Sequence, residues 1–261
     1  MRDGLKGRCE LIIKHLLSVE TARIEDILSV TGASAACIRR DLSHLANLGL
    51  IRRTNGGATL AEPLLYEPFR YDSSFIARER MFAAEKRRIG LAAAELVQPD
   101  ETIGISAGTT TTYIGRALRH RKKIRVVTNA MNISMELCNQ PGIRIYLTGG
   151  VMSWPWSFSI TGDPALKLLD NFYLDRVFLS VTGLDAERGA TTLETEEALI
   201  CRKMLQRSKQ VIIVSDTSKL GRVGPALVCQ TKEIDTIITN MGAPAELLAP
   251  FEQHGVRVVC V

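Results

Sequence analysis

The run Gly104-Ile105-Ser106-Ala107-Gly108-Thr109-Thr110-Thr111-Thr112 joins an apolar stretch to a glycine and four consecutive threonines. The residues before it read as a strand and those after it as a helix. A strand-to-helix turn offers free backbone N–H groups and the positive end of a helix dipole to an anion. Gly108 permits close approach, and the hydroxyls of Ser106, Thr109, Thr110 and Thr111 add polar contacts. Four further apolar runs end in polar or glycine-rich residues. They are Val127-Thr128-Asn129, Leu147-Thr148-Gly149-Gly150, Val181-Thr182-Gly183-Leu184-Asp185, and the stretch from Val214 through Lys219 to Arg222. Ligands of open α/β sheets bind beyond the carboxyl ends of the strands, so these segments are expected to converge on one small-molecule pocket. Lys219 can balance an anion there, and Asn129 and Asp185 can exchange hydrogen bonds with ligand hydroxyls.

A second chemistry lies near the amino terminus. Arg39-Arg40 and Arg52-Arg53 fall within one short motif. Arginine's planar fork fits phosphate and the paired acceptors of guanine. The net charge of +5 is mild; the clustering is the stronger indication of nucleic-acid contact.

Elements must position both sets. Residues 8–18 read as a helix with Leu11, Ile12, His15 and Leu16 at helical spacing. Thr21-Ala22-Arg23 breaks it, and a short helix carries Ile24, Ile27, Leu28 and Val30. Gly32 suits a tight turn and Ser34 an N-cap. The third helix runs from about 35 to 48, with Ile38, Leu42, Leu45 and Leu48 inward and Gly49 as its C′ glycine. Arg39 and Arg40 are left outward. Asn55-Gly56 between two extended runs predicts a hairpin. Three helices and a hairpin make a winged helix-turn-helix over residues 1–60. Ser34, Cys37, Arg39 and Arg40 are placed at the major groove, with Arg52, Arg53 and Asn55 on the wing near the phosphate backbone.

Residues 61–80 read as a partly ordered linker. From 81 to 261, apolar strands alternate with helices. Strands are expected at 102–105, 124–128, 143–147, 177–181, 211–214, 236–239 and 256–260, and helices near 83–97, 109–119, 131–139, 163–170, 195–208 and 244–253. Continuous apolar strands imply burial on both faces, so the expected fold is a Rossmann-like α/β layer with a mostly parallel sheet.

A hydrophobic fraction of 46% supports a real core. The sequence shows neither a membrane span nor a signal peptide, which predicts a cytoplasmic protein. The six cysteines are dispersed and form no C-x-x-C pair, so reduced thiols are expected, with no metal and no cofactor.

Ile38-Arg39-Arg40-Asp41-Leu42 and the run from Gly49 to Ala58 closely resemble the head of the DeoR family of bacterial repressors. That family usually has threonine where Cys37 stands. The resemblance continues through Ala107–Thr111, Val126–Asn129, Thr148–Gly150, Gly162, Asp175–Asp185, Thr217–Arg222 and Ile234–Asn240. The family's sensor domain is similar in fold to ribose-5-phosphate isomerase and CoA-transferase domains, and its ligands are typically sugar phosphates. The resemblance implies that Gly108–Thr111 and Lys219 hold a phosphate, that Asp185 holds the sugar, and that Glu197 lies near the pocket. Two positions depart from the family pattern: Ser106 replaces an aspartate, and Cys201 stands where lysine is common. The implied function is repression of a carbohydrate uptake or catabolism operon, without catalysis. A phosphorylated sugar would release operator DNA, and the repressor would be a homo-oligomer, dimer or tetramer. An isomerase with an appended DNA-binding head is the alternative. The isomerase loop supplies two aspartates where this chain has only Asp185, with Thr182 in the other position. Trp154 and Trp156 are expected to form a pocket lid or a subunit contact.

Overall fold

The computed structural model of the chain describes residues 2–47, 50–61, 73–152 and 158–261. It divides into two units, Met1–Arg70 and Tyr71–Val261.

The first unit comprises α1 (Arg2–Val19), β1 (Thr21–Arg23), α2 (Ile24–Thr31), α3 (Ala35–Asn47), β2 (Ile51–Thr54) and β3 (Gly57–Leu60). Its core is Ile12, Ile13, Leu16 and Leu17 of α1, Ile27 of α2, and Ile38, Leu42 and Leu45 of α3. Leu11 and Val30, expected on apolar faces, point outward. Gly32 ends α2 at φ 63°, and its N–H donates to the Leu28 carbonyl. Ser34 Oγ accepts from Cys37 N at 3.4 Å, the expected cap. An ion pair between half-buried Arg8 and buried Asp41 fixes α1 to α3: Arg8 Nε and Nη2 reach the carboxylate at 2.8 and 3.4 Å. Thr21–Arg23, expected only to break a helix, pairs antiparallel with β3 and gives the sheet order β1-β3-β2. Gly56, at φ 94°, turns the hairpin. Leu48 and Gly49 lie outside the described residues.

Residues 62–72 also lie outside them. Residues 73–80, the end of the stretch read as a linker, form α4 (Ser73–Arg80). Then follow α5 (Ala83–Glu95), β4 (Thr102–Ile105), α6 (Thr109–Leu118), β5 (Ile124–Thr128), α7 (Met131–Leu137), β6 (Ile143–Leu147), β7 (Val151–Met152), β8 (Ile160–Thr161), α8 (Asp163–Leu169) and β9 (Arg176–Ser180). The chain continues with β10 (Gly183–Asp185), β11 (Gly189–Thr192), α9 (Thr195–Gln206), β12 (Val211–Val214), β13 (Ala226–Cys229), β14 (Thr236–Thr239), α10 (Ala245–Gln253) and β15 (Arg257–Cys260). In this unit the expected strands and helices are present, with ends displaced by at most two residues; in the first unit, α1 begins six residues before its expected start at residue 8.

Seven strands form one sheet in the order β15-β14-β12-β9-β4-β5-β6. All six pairings are parallel. Alternate strand residues enter two cores. Ile103, Phe178, Ile212 and Val214 pack with Ile89, Ile114 and Ile133 of α5, α6 and α7. Val177, Leu179, Val211 and Ile213 pack with Leu169, Met204 and Phe251 of α8, α9 and α10. This double burial explains the unbroken apolar strands. Two small sheets were not foreseen: β10-β11-β13 and the pair β7-β8.

Helices α5 and α6 touch most closely at Gly90. A Cβ there would lie 2.7 Å from the Tyr113 carbonyl carbon and Cβ. Gly90→Ala is therefore expected to push the helices apart and destabilise the second unit by about 1–3 kcal/mol. Chemical denaturation followed by circular dichroism checks this; unchanged stability would contradict the close approach.

Candidate functional site

Strand order reverses between β4 and β9: the chain leaves β4 for β5 and β6 on one side, and leaves β9 for β12, β14 and β15 on the other. Such a reversal opens a crevice at the carboxyl ends of the strands. Gly108 sits there. A Cβ on it would lie 2.5 Å from Ser180 Cβ and Oγ at the end of β9, so only glycine lets the turn close. The first bond of α6 runs from Thr112 N to Gly108 O at 3.1 Å. The N–H groups of Thr109, Thr110 and Thr111 stand ahead of it, at the positive end of the helix. Two of the threonine hydroxyls are engaged within the turn. Those of Thr111 and Thr112 donate to Gly108 O at 3.0 and 2.7 Å. They brace the turn, and its backbone faces the crevice.

Ser106 and Asn129 also serve as braces. Ser106 is fully buried, and its Oγ accepts from Ser180 N at 3.0 Å, joining β4 to β9. It also hydrogen-bonds Cys201, whose thiol burial pushes up to about 12. The two departures from the family pattern thus touch one another, as an uncharged pair. Asn129 Oδ1 accepts from Ala107 N at 3.0 Å, and its Nδ2 donates to Ser159 Oγ at 3.0 Å and Ile160 O at 3.3 Å. Its amide stitches two loops together, which leaves little of it for ligand hydroxyls.

Charge gathers at the end of β12. Asp216, 1% exposed, accepts from Ser218 N at 3.0 Å and caps the single helical turn that carries half-buried Lys219. Lys86 of α5 enters the same place and is 3% exposed, with Nζ 3.9 Å from Asp216 Oδ2. Burial pulls its pKa down to about 8; the Asp216 charge opposes this, and the Lys219 charge adds to it. Topology sets Lys86 level with the anion turn. Helix α5 leads into β4 and α6 leaves it, so both run back from the carboxyl edge. Gly90 meets Tyr113, and one turn earlier on each helix stand Lys86 and Thr109. Sequence reasoning missed Lys86.

Glu197 is half-buried at the start of α9. Burial raises its pKa, while Arg78 and hydrogen bonds from Thr192 and Ser159 oppose the shift. Gly149 and Gly150 are exposed at the end of β6; a Cβ on Gly150 would collide with the Thr161 carbonyl, whereas Gly149 has open space. Asp185 ends β10, whose Leu184 bridges Leu220 and accepts from Gly221 N at 2.9 Å, next to the turn that carries Lys219. The Ala186 carbonyl in the β10–β11 turn accepts from Thr231 Oγ1 at 2.6 Å. Asp185 Oδ1 accepts from Glu187 N and Arg188 N at 3.0 and 2.9 Å, so the carboxylate organises the turn. Trp154 and Trp156 lie outside the described residues.

In the first unit, Arg39, Arg40, Arg52 and Asn55 are exposed, and Cys37 is half-buried. Arg53 donates to Ser43 Oγ at 3.1 Å, tying the wing to α3.

A winged helix followed by a doubly wound sheet with an anion-directed turn at its switch point defines a DNA-binding transcription regulator carrying its own sensor. A DeoR-like helix-turn-helix domain matches residues 8–63, and the DeoR C terminal sensor domain matches residues 81–241. An Escherichia coli O157:H7 protein named for repression of the aga operon is 34% identical over 99% of this chain and 94% of its own. The Bacillus subtilis transcriptional repressor GlcR is 32% identical over 97% and 95%. The glycerol-3-phosphate regulon repressor of Escherichia coli K12 is 28% identical over 90% of each. The chain belongs to the DeoR family of transcriptional regulators. Family and relatives are regulators, so the isomerase alternative is not favoured. Among the described residues, no helix is long and apolar enough to cross a membrane.

The titration of Lys86 has a definite sign. Burial lowers its pKa to about 8, with Asp216, Lys219, Glu79 and Arg78 adjusting that value, so its ammonium is charged below about 8 and neutral above. An anion bound beside it is held best in the charged state. Stabilisation by sulfate, whose charge is constant over this range, is expected to fall as pH rises from about 7 to about 9. Thermal melts at fixed ionic strength test this, and a stabilisation that holds or grows with pH would count against an anion beside Lys86.

Proposed function

We propose that the chain represses a carbohydrate uptake or catabolism operon and leaves its operator when a phosphorylated sugar occupies the crevice between β4 and β9. The observation that carries this reading is the meeting of unspent helix N–H groups with two lysines at the switch point. A phosphate needs both donors and compensating cations. The backbone of Gly108 to Thr111 and the ammonium of Lys219 hold the phosphate. Glu197 takes a sugar hydroxyl, and the loop at Gly149 and Gly150 borders the site. Ser106 and Asn129 position the turn, and Asp185 shapes the hairpin beside it. The relatives' names, which refer to the aga operon and the glycerol-3-phosphate regulon, support a sugar-related ligand.

In the head, Arg39 and Arg40 face the major groove, near Ser34 and Cys37. Arg52, Arg53 and Asn55 lie along the phosphate backbone of double-stranded operator DNA. Two or more copies bind paired half-sites, and the protein works in the cytoplasm, where the operator is. Ligand and DNA favour different conformations, so sugar phosphate shifts the population away from the bound form.

Fluorescence anisotropy with operator DNA at fixed salt tests the reading. Arg39→Ala and Arg40→Ala are each expected to weaken binding about 10- to 100-fold with the fold intact, corresponding to about 1–3 kcal/mol. A sugar phosphate from a panel is expected to release DNA, while its unphosphorylated sugar leaves the complex in place. Wild-type affinity in both arginine variants, or release by the bare sugar alone, would overturn it.

A further inference from the structure

Helix α4 is the element of the second unit nearest in sequence to the DNA-binding head. Its ties to the rest of that unit land on the candidate ligand site. Phe75 is buried edge-on against Phe158, with ring centroids 4.8 Å apart, and Phe158 adjoins the Ser159 that Asn129 holds. Arg78 acts on Glu197. Glu79 pairs with Arg116 of α6 at 2.9 Å. Lys86 Nζ donates to the carbonyls of Arg78 and Met81, the latter at 2.7 Å, and so closes the carboxyl end of α4. Those carbonyls carry the negative end of the helix dipole.

Lys86 is short of negative charge. Its hydrogen-bond partners are peptide carbonyls, and the nearest carboxylate oxygen, Asp216 Oδ2, lies at 3.9 Å, beyond hydrogen-bond reach. That oxygen is buried without a hydrogen-bond partner. Lys219 adds a like charge to the same cluster. A buried ammonium held by dipoles is poorly compensated, which agrees with its low pKa. A phosphate dianion at the level of Thr109 offers stronger acceptors than carbonyls, and it relieves the repulsion between the two lysines.

We propose that Lys86 is a shared cation: with the site empty it holds the carboxyl-terminal turn of α4, and with a phosphate bound it turns to the phosphate and loosens α4. The proposal rests on the reading that a phosphate binds beside Gly108–Thr111 and Lys219, and it names how that binding is transmitted. The ligand's differential interaction with the two states is then specific: it competes with α4 for one ammonium.

Hydrogen exchange on the full chain, with and without millimolar inorganic phosphate, separates the two claims. Phosphate is expected to slow exchange at Thr109–Thr111 and to speed it about tenfold at the carboxyl end of α4, the effect of losing one charged hydrogen bond. In Lys86→Gln, with the fold verified by circular dichroism, α4 is expected to exchange fast already and to ignore phosphate. Slowed exchange at Thr109–Thr111 with α4 unchanged or slowed in the wild type overturns the shared cation and leaves the site standing. No slowing at Thr109–Thr111 overturns both. A phosphate response of α4 that persists in Lys86→Gln assigns the coupling to another contact and also overturns the proposal.

Discussion

The ligand edge of the sensor depends on the close approach of Gly108 to Ser180, where β4 and β9 lie side by side. There the sheet reverses its winding, and helices depart to opposite faces. A side chain on Gly108 would force the turn off Ser180 and swing the first N–H groups of α6 out of the crevice. Ser106 secures the same junction from below by accepting from Ser180 N. Asn129 secures it from the side by fixing Ala107. Ser106 and Asn129 thus spend their hydrogen bonds largely on holding backbone. Preorganised N–H groups lose little freedom on binding an anion, which makes this an economical arrangement for a sensor.

Charge is distributed differently from shape. Lys219 and Lys86 come from opposite ends of the second unit's sequence and meet over Asp216. Two cations and one carboxylate are thus gathered at the end of β12, with Lys86 and Asp216 buried, where any added charge is felt strongly. The family pattern's aspartate and lysine, at the positions of Ser106 and Cys201, are replaced here by an uncharged pair in contact. The charge that remains is concentrated at the anion end of the crevice.

Much of this was legible in the sequence, for identifiable reasons. The long strands are buried on both faces and so appear as unbroken apolar runs; the head's hairpin announces itself through Asn55-Gly56. What escaped is short or nonlocal. Strands such as Gly183–Asp185 and Thr21–Arg23 have three residues and are made by partners distant in sequence. Asp185 ends an apolar run, and the hairpin after β9 turns its carboxylate onto the Glu187 and Arg188 N–H groups. Glu85-Lys86-Arg87-Arg88 reads as a solvated charge run. Yet Lys86 stands three and seven residues before the buried Ile89 and Ala93, so helical arithmetic puts it on the inward face. That spacing was the available signal. Ser106 and Asn129 had none, since a side chain's choice between ligand and backbone is settled by loops elsewhere in the chain.

The most direct test is a crystal structure of the full chain grown with a sugar phosphate selected by thermal shift. Phosphate oxygens are expected about 3 Å from the N–H groups of Thr109–Thr111 and from the Lys219 ammonium, with Asp185 still closing its own turn. A phosphate seated elsewhere, such as the groove between α9 and β13 lined by Arg202 and Lys232, would contradict it.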